Sequence, residues 1–316
     1  MSDRSPPRTG YQHDALLYAG IPDFVSRTVP FVRGGIEAGE PVLVATSAEK
    51  IDLLRADLGA DAAAVVFADM AVVGANPARI IPFWQEFVDQ HTAEGRSIRG
   101  IGEPIWPGRS ADELVECQRH ESLLNVALSP ATPMWLLCPY DIDALDPAVV
   151  EEALHSHPFV TECTTQRESG AFRGVDASAA PFDAPLAPVP SGCHEFSFGP
   201  GSLSVVRDLV SASASGAGLD AARAQDLVQV AHEVAANSVR HGGGRGALRI
   251  WRDAGALICE IRDQGRIDQP LVGRERPGVA VEAPRGLWLA NQVCDLVQIR
   301  CLQAGSVVRL HMRSYT

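Results

Sequence analysis

Residues 220–242 constrain most what this chain can fold into, because they join a helix pattern to chemistry on its polar side. Asp220 has N-cap chemistry, Leu227, Val230, Ala231 and Val234 recur with helical period, and Gly242 opens a run of three glycines that ends the pattern. Glu233, Asn237 and His241 are spaced four apart, so they share one face, turned away from the apolar stripe. A carboxylate and an amide one turn apart suit the shell of Mg²⁺, which takes few protein oxygens and fills the rest with waters and nucleotide phosphates. Glu233 equally suits a general base acting on a hydroxyl. A solvated face has the same spacing, so the sequence that follows decides between them.

Two strand-like runs follow, 246–252 and 256–262, and the second delivers Asp263-Gln264-Gly265. An irregular stretch, 266–284, contains Arg266, Arg274 and Arg276; Arg285-Gly286-Leu287-Trp288-Leu289-Ala290-Asn291-Gln292 then opens another helix. Asp263, at a strand end beside a glycine, can accept a hydrogen bond from an adenine amino group, and Gly265 lets the base approach the backbone. Gly286 at a helix start offers N–H groups and the positive helix end to phosphate.

The order helix with E-x-x-x-N, strand, strand with D-x-G, lid and R-G-L resembles the Bergerat-type (GHKL) ATP-binding fold of histidine kinases, gyrase and the anti-sigma serine kinases. It is most similar to the actinobacterial anti-sigma regulatory factors of the RsbW-like branch, over residues 193–316. The resemblance implies an α/β sandwich that binds ATP and Mg²⁺, with Glu233 as catalytic base and Asn237 as the Mg²⁺ ligand. The nucleotide-binding set is then Asn237, His241, Asp263, Gly265, Arg285 and Gly286. It also implies a STAS-domain anti-anti-sigma substrate, a sigma factor as second partner, and a homodimer. Two positions depart from the pattern at the lid ends: Ile267 stands in place of the second glycine of D-x-G-x-G, and Pro284 in place of a glycine before Arg285.

The N-terminal half alternates strand and helix patterns from His13 onward, which argues for a doubly wound parallel α/β domain. Its second pattern, 23–37, contains Pro30 and reads as a helix interrupted or kinked there. Ligands of such sheets sit outside the carboxyl ends of the strands. Glu103, Trp106, Tyr140 and Asp141 fall there and would form a polar, aromatic mouth, although aromatic residues that only cover a sheet edge would look the same. No G-x-x-x-x-G-K-[ST] is present, which argues against a P-loop ATPase. His13-Asp14-Ala15-Leu16-Leu17-Tyr18, Gly39-Glu40-Pro41, Gly102-Glu103-Pro104-Ile105-Trp106, Glu121 with Asn125, Cys138-Pro139-Tyr140-Asp141 and His157-Pro158 resemble the MEDS family. That family is a sensory domain related in fold to the RecA and KaiC type, without a phosphate loop. The resemblance spans 11–160, implies a small-molecule or protein signal, and adds His13 and Tyr18 to the sensory candidates. Residues 164–191, rich in Ala, Pro, Ser and Gly, read as a linker, and 1–10 as a disordered tail.

A formal charge of −12 argues against a duplex-DNA binder, since phosphate contacts need clustered Lys and Arg. No run approaches the ~18 apolar residues of a membrane helix, so a cytoplasmic protein without membrane contact is expected. The 7 cysteines contain no C-x-x-C pair and read as reduced thiols packed as small hydrophobes; zinc is not expected from His155 and His157. Two other functions compete with the serine kinase: a nucleotide-gated partner-binding module that transfers no phosphate, and a sensor histidine kinase using His120-Glu121.

Overall fold

Strands buried on both faces must be apolar throughout, and helices that cover them need one apolar stripe. Both patterns recur along this chain and build two compact units, which divide between Ala179 and Ala180 in the computed structural model. The structure describes residues 10–92, 96–162, 165–177, 182, 184–278 and 285–314. The expected tail, apart from Gly10, and the 279–284 end of the lid with Pro284 lie outside the described residues.

The first unit runs β1 (Gln12–Tyr18), α1 (Gly20–Ala38), β2 (Val42–Thr46), α2 (Ala48–Leu58), β3 (Val65–Asp69), α3 (Met70–Val73), α4 (Ile80–Thr92) and β4 (Ile98–Gly102). It continues through α5 (Ala111–Ala127), β5 (Met134–Asp141), α6 (Pro147–Ser156), β6 (Phe159–Glu162) and β7 (Thr165–Glu168). The sheet order is β3-β2-β4-β5-β1-β6-β7, parallel except for the antiparallel edge strand β7. Side chains set the helix starts: the Ser47 hydroxyl accepts the Lys50 N–H, Ser110 and Glu113 form a capping box, and Asp146 accepts the Ala148 N–H with Pro147 at the first helical position.

Strand alternation sorts this core into two layers. Leu16, Tyr18, Val42, Val44, Ile101 and Leu137 cluster with Phe24 and Val32 of α1 and Leu54 of α2. On the other face Trp84 of α4 lies against β4, where a Cβ at Gly100 would come within 2.7 Å of its ring. Two features differ from expectation. Helix α1 runs through Pro30 unbroken; the buried stripe of Phe24, Val29, Phe31 and Val32 outweighs the loss of one backbone hydrogen bond at an exposed residue. Strand β7 lies inside the stretch read as linker and pairs with β6, giving the sheet an edge of exposed polar residues.

The second unit runs β8 (Glu195–Phe198), α7 (Leu203–Gly216), α8 (Ala221–His241), β9 (Gly246–Asp253), β10 (Ala256–Asp263), α9 (Arg285–Val293), β11 (Leu296–Leu302) and β12 (Gly305–Arg313). Its antiparallel sheet has the order β11-β12-β10-β9-β8. Leu257, Cys259 and Ile261 of β10 pack with Val206 and Val210 of α7, Leu227, Val230 and Val234 of α8 and Ala290 of α9. The intervening Glu260 is fully buried on the opposite face, where Arg262 and Arg309 each donate to it at 2.6 Å. Among the described residues no helix is long and apolar enough to cross a membrane.

The β11–β12 hairpin turns through Gly305 at φ 125, and a Cβ there would lie 1.9 Å from the Asp263 carbonyl oxygen. Gly305→Ala should therefore lower the stability of the second unit by roughly 2–4 kcal/mol, from backbone strain and a clash with the neighbouring strand. Calorimetry should show an earlier unfolding transition than in Gly278→Ala, whose added Cβ meets no described residue within 4 Å.

Candidate functional site

Helix α8 and strand β10 end side by side, and their last residues form one wall of a cleft of about 1010 Å³. All seven residues expected at a nucleotide site line it: Glu233, Asn237, His241, Asp263, Gly265, Arg285 and Gly286. Helical spacing puts the first three on the open face of α8, while Leu227, Val230, Ala231 and Val234 face the core.

Among the described residues, Asp263 is held by hydrogen-bonding neighbours and not by a counter-charge. The Ser238 hydroxyl donates to its Oδ2 at 2.6 Å, and the Gly265 N–H donates to its Oδ1 at 2.8 Å. A carboxylate has about four lone-pair sites, so each oxygen keeps room to accept from a ligand. The Ser306 hydroxyl donates to the Gly265 carbonyl at 2.8 Å and fixes the turn beyond Asp263. Missing side chains are equally part of the construction: a Cβ at Gly242 would sit 2.4 Å from the Asp263 carboxyl carbon, and one at Gly265 2.9 Å from the His241 carbonyl oxygen.

Across the cleft, Gly286 begins α9 against α8. A Cβ there would approach both the Asn237 amide and the Glu233 Cβ to 3.2 Å. Glu233 is 40% exposed and only loosely paired with Arg240 at 3.9 Å, so its carboxylate stays open to the cleft. Of the four arginines flanking the lid, Arg274 is buried at 4%, which leaves Arg266, Arg276 and Arg285 at the surface. Asn291 donates to the Gly273 carbonyl at 2.8 Å and ties α9 to the described part of the lid. Ile267 lines the cleft and packs against the core. The residue missed in the sequence is Ser238. Its signal is a hydroxyl in line with Val230, Ala231 and Val234, a buried polar group that needs a partner.

In the first unit the six sensory candidates do not form one mouth. His13 and Tyr18 are five apart on β1 and so face opposite sides of the sheet. Tyr18 donates to Glu103 at 2.7 Å; Glu103 also accepts from Thr46 and Lys50, each at 2.5 Å. Burial and the adjacent Glu103 push the Tyr18 phenol far up, so it stays protonated as a donor. Thr46, Tyr18 and Glu103 lie at carboxyl ends of strands, where such sheets bind ligands. Trp106 is half-buried beneath the Arg109 guanidinium, 3.8 Å from the ring centre, and Arg109 is pinned by the carbonyls of Gly74, Ala75 and Pro104. Asp141 accepts the Gly20 and Asp143 N–H groups, each at 3.2 Å, and so shapes the chain at the end of β5. On the opposite face, His13 and Tyr140 are 1% exposed and join Glu121, Asn125, Cys138 and His157 in a buried cluster. Burial, then the neighbouring His157, lowers the His13 pKa to about 4.

The tight seat of Asp263 makes Gly242 a sensitive point. Gly242→Ala should push the carboxylate out of place and weaken ATP binding on the order of tenfold or more, with circular dichroism unchanged. Unchanged affinity by calorimetric titration would mean that Asp263 is not a ligand contact.

Comparison with known families divides the chain where its contacts do. Residues 12–158 match the family described as MEDS, the methanogen/methylotroph, DcmR sensory domain, and residues 196–312 match the histidine kinase-like ATPase domain. No curated protein matches. A crystal structure of the RsbU and RsbW domains of Rv1364c from Mycobacterium tuberculosis is similar at 17% identity, covering 40% of this chain and 33% of that one, with a TM-score of 0.28. This chain thus spans about a third of that protein's length. The fold is α/β in both units, and the second agrees with the GHKL ATPase class, in which nucleotide binding is the shared property. This protein carries a MEDS domain followed by a histidine kinase-like ATPase domain.

Proposed function

We propose that the second unit binds ATP with Mg²⁺ and phosphorylates a serine of a STAS-type anti-anti-sigma protein, that it also binds a sigma factor, and that the MEDS domain controls it. The observation that carries this reading is the cleft itself: an anchored Asp263 carboxylate with spare acceptor capacity lies in one cavity with Glu233, Asn237 and the glycine-opened start of α9. Asp263 suits adenine, whose amino group is a donor, and disfavours guanine, which presents an acceptor there. The first N–H groups of α9 favour a negative charge such as phosphate, and Arg285 beside them adds a cation.

The residues fit a metal-bound nucleotide. Asn237 would hold a Mg²⁺ through its side-chain oxygen, and that ion would supply positive charge beside the phosphates. Glu233, exposed and one turn away, takes the proton of the attacking seryl hydroxyl as that oxygen bonds the γ-phosphorus. The bond from the γ-phosphorus to the bridging oxygen breaks, and ADP carries the electron pair away. Glu233→Gln keeps the shape but cannot take the proton. Transfer from γ-labelled ATP to a STAS-domain protein should fall ~10²- to 10⁴-fold with ATP affinity retained, whereas Asn237→Ala should lose Mg²⁺-dependent binding as well. Transfer at the parent rate in Glu233→Gln would remove Glu233 as the base.

Ile267 favours a second reading, a nucleotide-gated binding module. It fills the place of a glycine that would let the lid wrap the phosphates, and it is anchored in the core. Tight ATP binding and partner capture without labelled product would select that function. A histidine kinase is disfavoured because His120, the phosphoacceptor-like residue, is 1% exposed in α5.

Control by the first unit requires a signal that binds two states of the protein with different affinity. The Tyr18–Glu103–Lys50–Thr46 network at the strand ends is the place we assign to it. Glu103→Gln and Trp106→Ala in the full chain should change phosphorylation or partner affinity, within the ~5- to 150-fold of typical coupling. No change from either variant would make the domain a scaffold.

A further inference from the structure

The buried cluster on the α5 and α6 side of the first sheet has an electrostatic problem. His13 of β1, Glu121 of α5, Cys138 of β5 and His157 at the end of α6 are each buried, and their donor atoms all lie within 4.8 Å of one another. His13 Nε2 is 3.2 Å and His157 Nε2 3.4 Å from the same carboxylate oxygen, Glu121 Oε2, and Cys138 Sγ is 3.4 Å from His13 Nε2.

The outer hydrogen bonds fix where the imidazole protons are. His157 Nδ1 lies 2.8 Å from the Ala153 carbonyl, an acceptor only, so Nδ1 carries the hydrogen and Nε2 presents a lone pair inward. The Asn125 amide nitrogen donates to the Ser156 carbonyl at 2.8 Å, with the Glu121 and Ser122 carbonyls also near, which turns its oxygen toward His13 Nδ1 at 3.1 Å. His13 Nδ1 is then the donor, and its Nε2 lone pair also points inward. Two imidazole lone pairs thus converge on one carboxylate oxygen, and among the described residues the Cys138 thiol is the hydrogen donor that reaches them. Among the described residues, His157 Nε2 and Glu121 Oε1 are buried without a well-formed hydrogen bond. Acceptors gathered like this in a dry interior require a cation between them.

We propose that His13, Glu121, Cys138 and His157 bind a single divalent transition-metal ion, of the zinc class, inside the MEDS domain. Tetrahedral coordination with Zn–N, Zn–O and Zn–S bonds of about 2.0–2.3 Å separates neighbouring ligand atoms by about 3.3–3.7 Å, close to the three separations above. One thiolate and one carboxylate bring two negative charges, so a divalent ion leaves the buried site neutral. Two nitrogens, one sulfur and one oxygen suit Zn²⁺ and its neighbours rather than Mg²⁺ or Ca²⁺. The Nδ1 bonds to Ala153 and Asn125 are the outer-shell contacts that orient metal-binding histidines. Four protein ligands from separate elements form a closed site that joins β1, β5, α5 and α6, so occupancy bears directly on the packing of this unit. The site stands independently of the kinase reading.

The test uses the full-length reduced protein, stripped with a chelator and titrated with Co²⁺ and then Zn²⁺. The expected result is one equivalent bound, a thiolate-to-cobalt charge-transfer band with tetrahedral visible bands that Zn²⁺ abolishes, and a melting temperature raised by roughly 5–10 °C at a hundredfold excess over Kd. Cys138→Ser should lose the charge-transfer band, His157→Gln should bind at least tenfold more weakly, and Cys193→Ser and Cys301→Ser should keep the parental spectrum. X-ray absorption of the zinc-loaded parent protein, which needs no variant to fold, should give one sulfur and three nitrogen or oxygen neighbours. Failure to take up metal would overturn the proposal and make the missing cation a proton. A different sulfur count, or a spectrum unchanged in Cys138→Ser and His157→Gln, would also overturn it.

Discussion

The second unit holds the Asp263 carboxylate still without a counter-charge among the described residues, the condition that the proposed recognition of a neutral donor would need. A lysine or arginine beside it would compete with the ligand. Its holders are a hydroxyl and a backbone N–H, from Ser238 and Gly265, which leave the charge and half the acceptor capacity free. This arrangement requires α8 to lie close over β10, which the Val230, Val234, Cys259 and Ile261 packing provides. It also requires backbone to pass the carboxylate closely without a Cβ in the way, hence glycine at 242 and 265, while glycine at 305 lets the hairpin turn pass the Asp263 backbone carbonyl. The apolar core of this unit and its polar cleft are two consequences of one helix–strand contact.

The first unit solves a different problem, that of keeping ionised and titratable groups inside an α/β core. Strand alternation separates two polar clusters that the sequence interleaves. On the α1 and α2 side, Glu103 is satisfied by Tyr18, Thr46 and Lys50. Removal of one partner from such a set leaves an uncompensated buried charge, which costs far more than the pair contributes. On the α5 and α6 side the accounting does not close with protein atoms alone, which is why a cation belongs there.

How much of this was legible in the sequence depended on the distance over which each interaction forms. Glu233, Asn237 and His241 share one helix face by spacing alone, and the turn after β10 placed Asp263 and Gly265 before any tertiary contact was known. His13 and Tyr18 were legible in part, since an odd separation on a strand already places them on opposite faces. Residues 13, 121, 138 and 157 converge only through parallel pairing of β1 with β5 and β6, so no local spacing announces them. Pro30 does not interrupt α1, for a physical reason as well: one missing N–H on an exposed turn is small against the stripe that α1 buries. Strand β7 escaped notice because an all-polar edge strand has no apolar alternation to read.

The account depends most on Asp263 acting as an acceptor for the adenine amino group. Calorimetric titration of the parent protein with ATP and with GTP, each with Mg²⁺, tests this directly. The account predicts one ATP bound per chain and GTP weaker by about 1–3 kcal/mol, roughly 5- to 150-fold, because guanine would set an acceptor against the carboxylate. Equal affinity for the two nucleotides would contradict it.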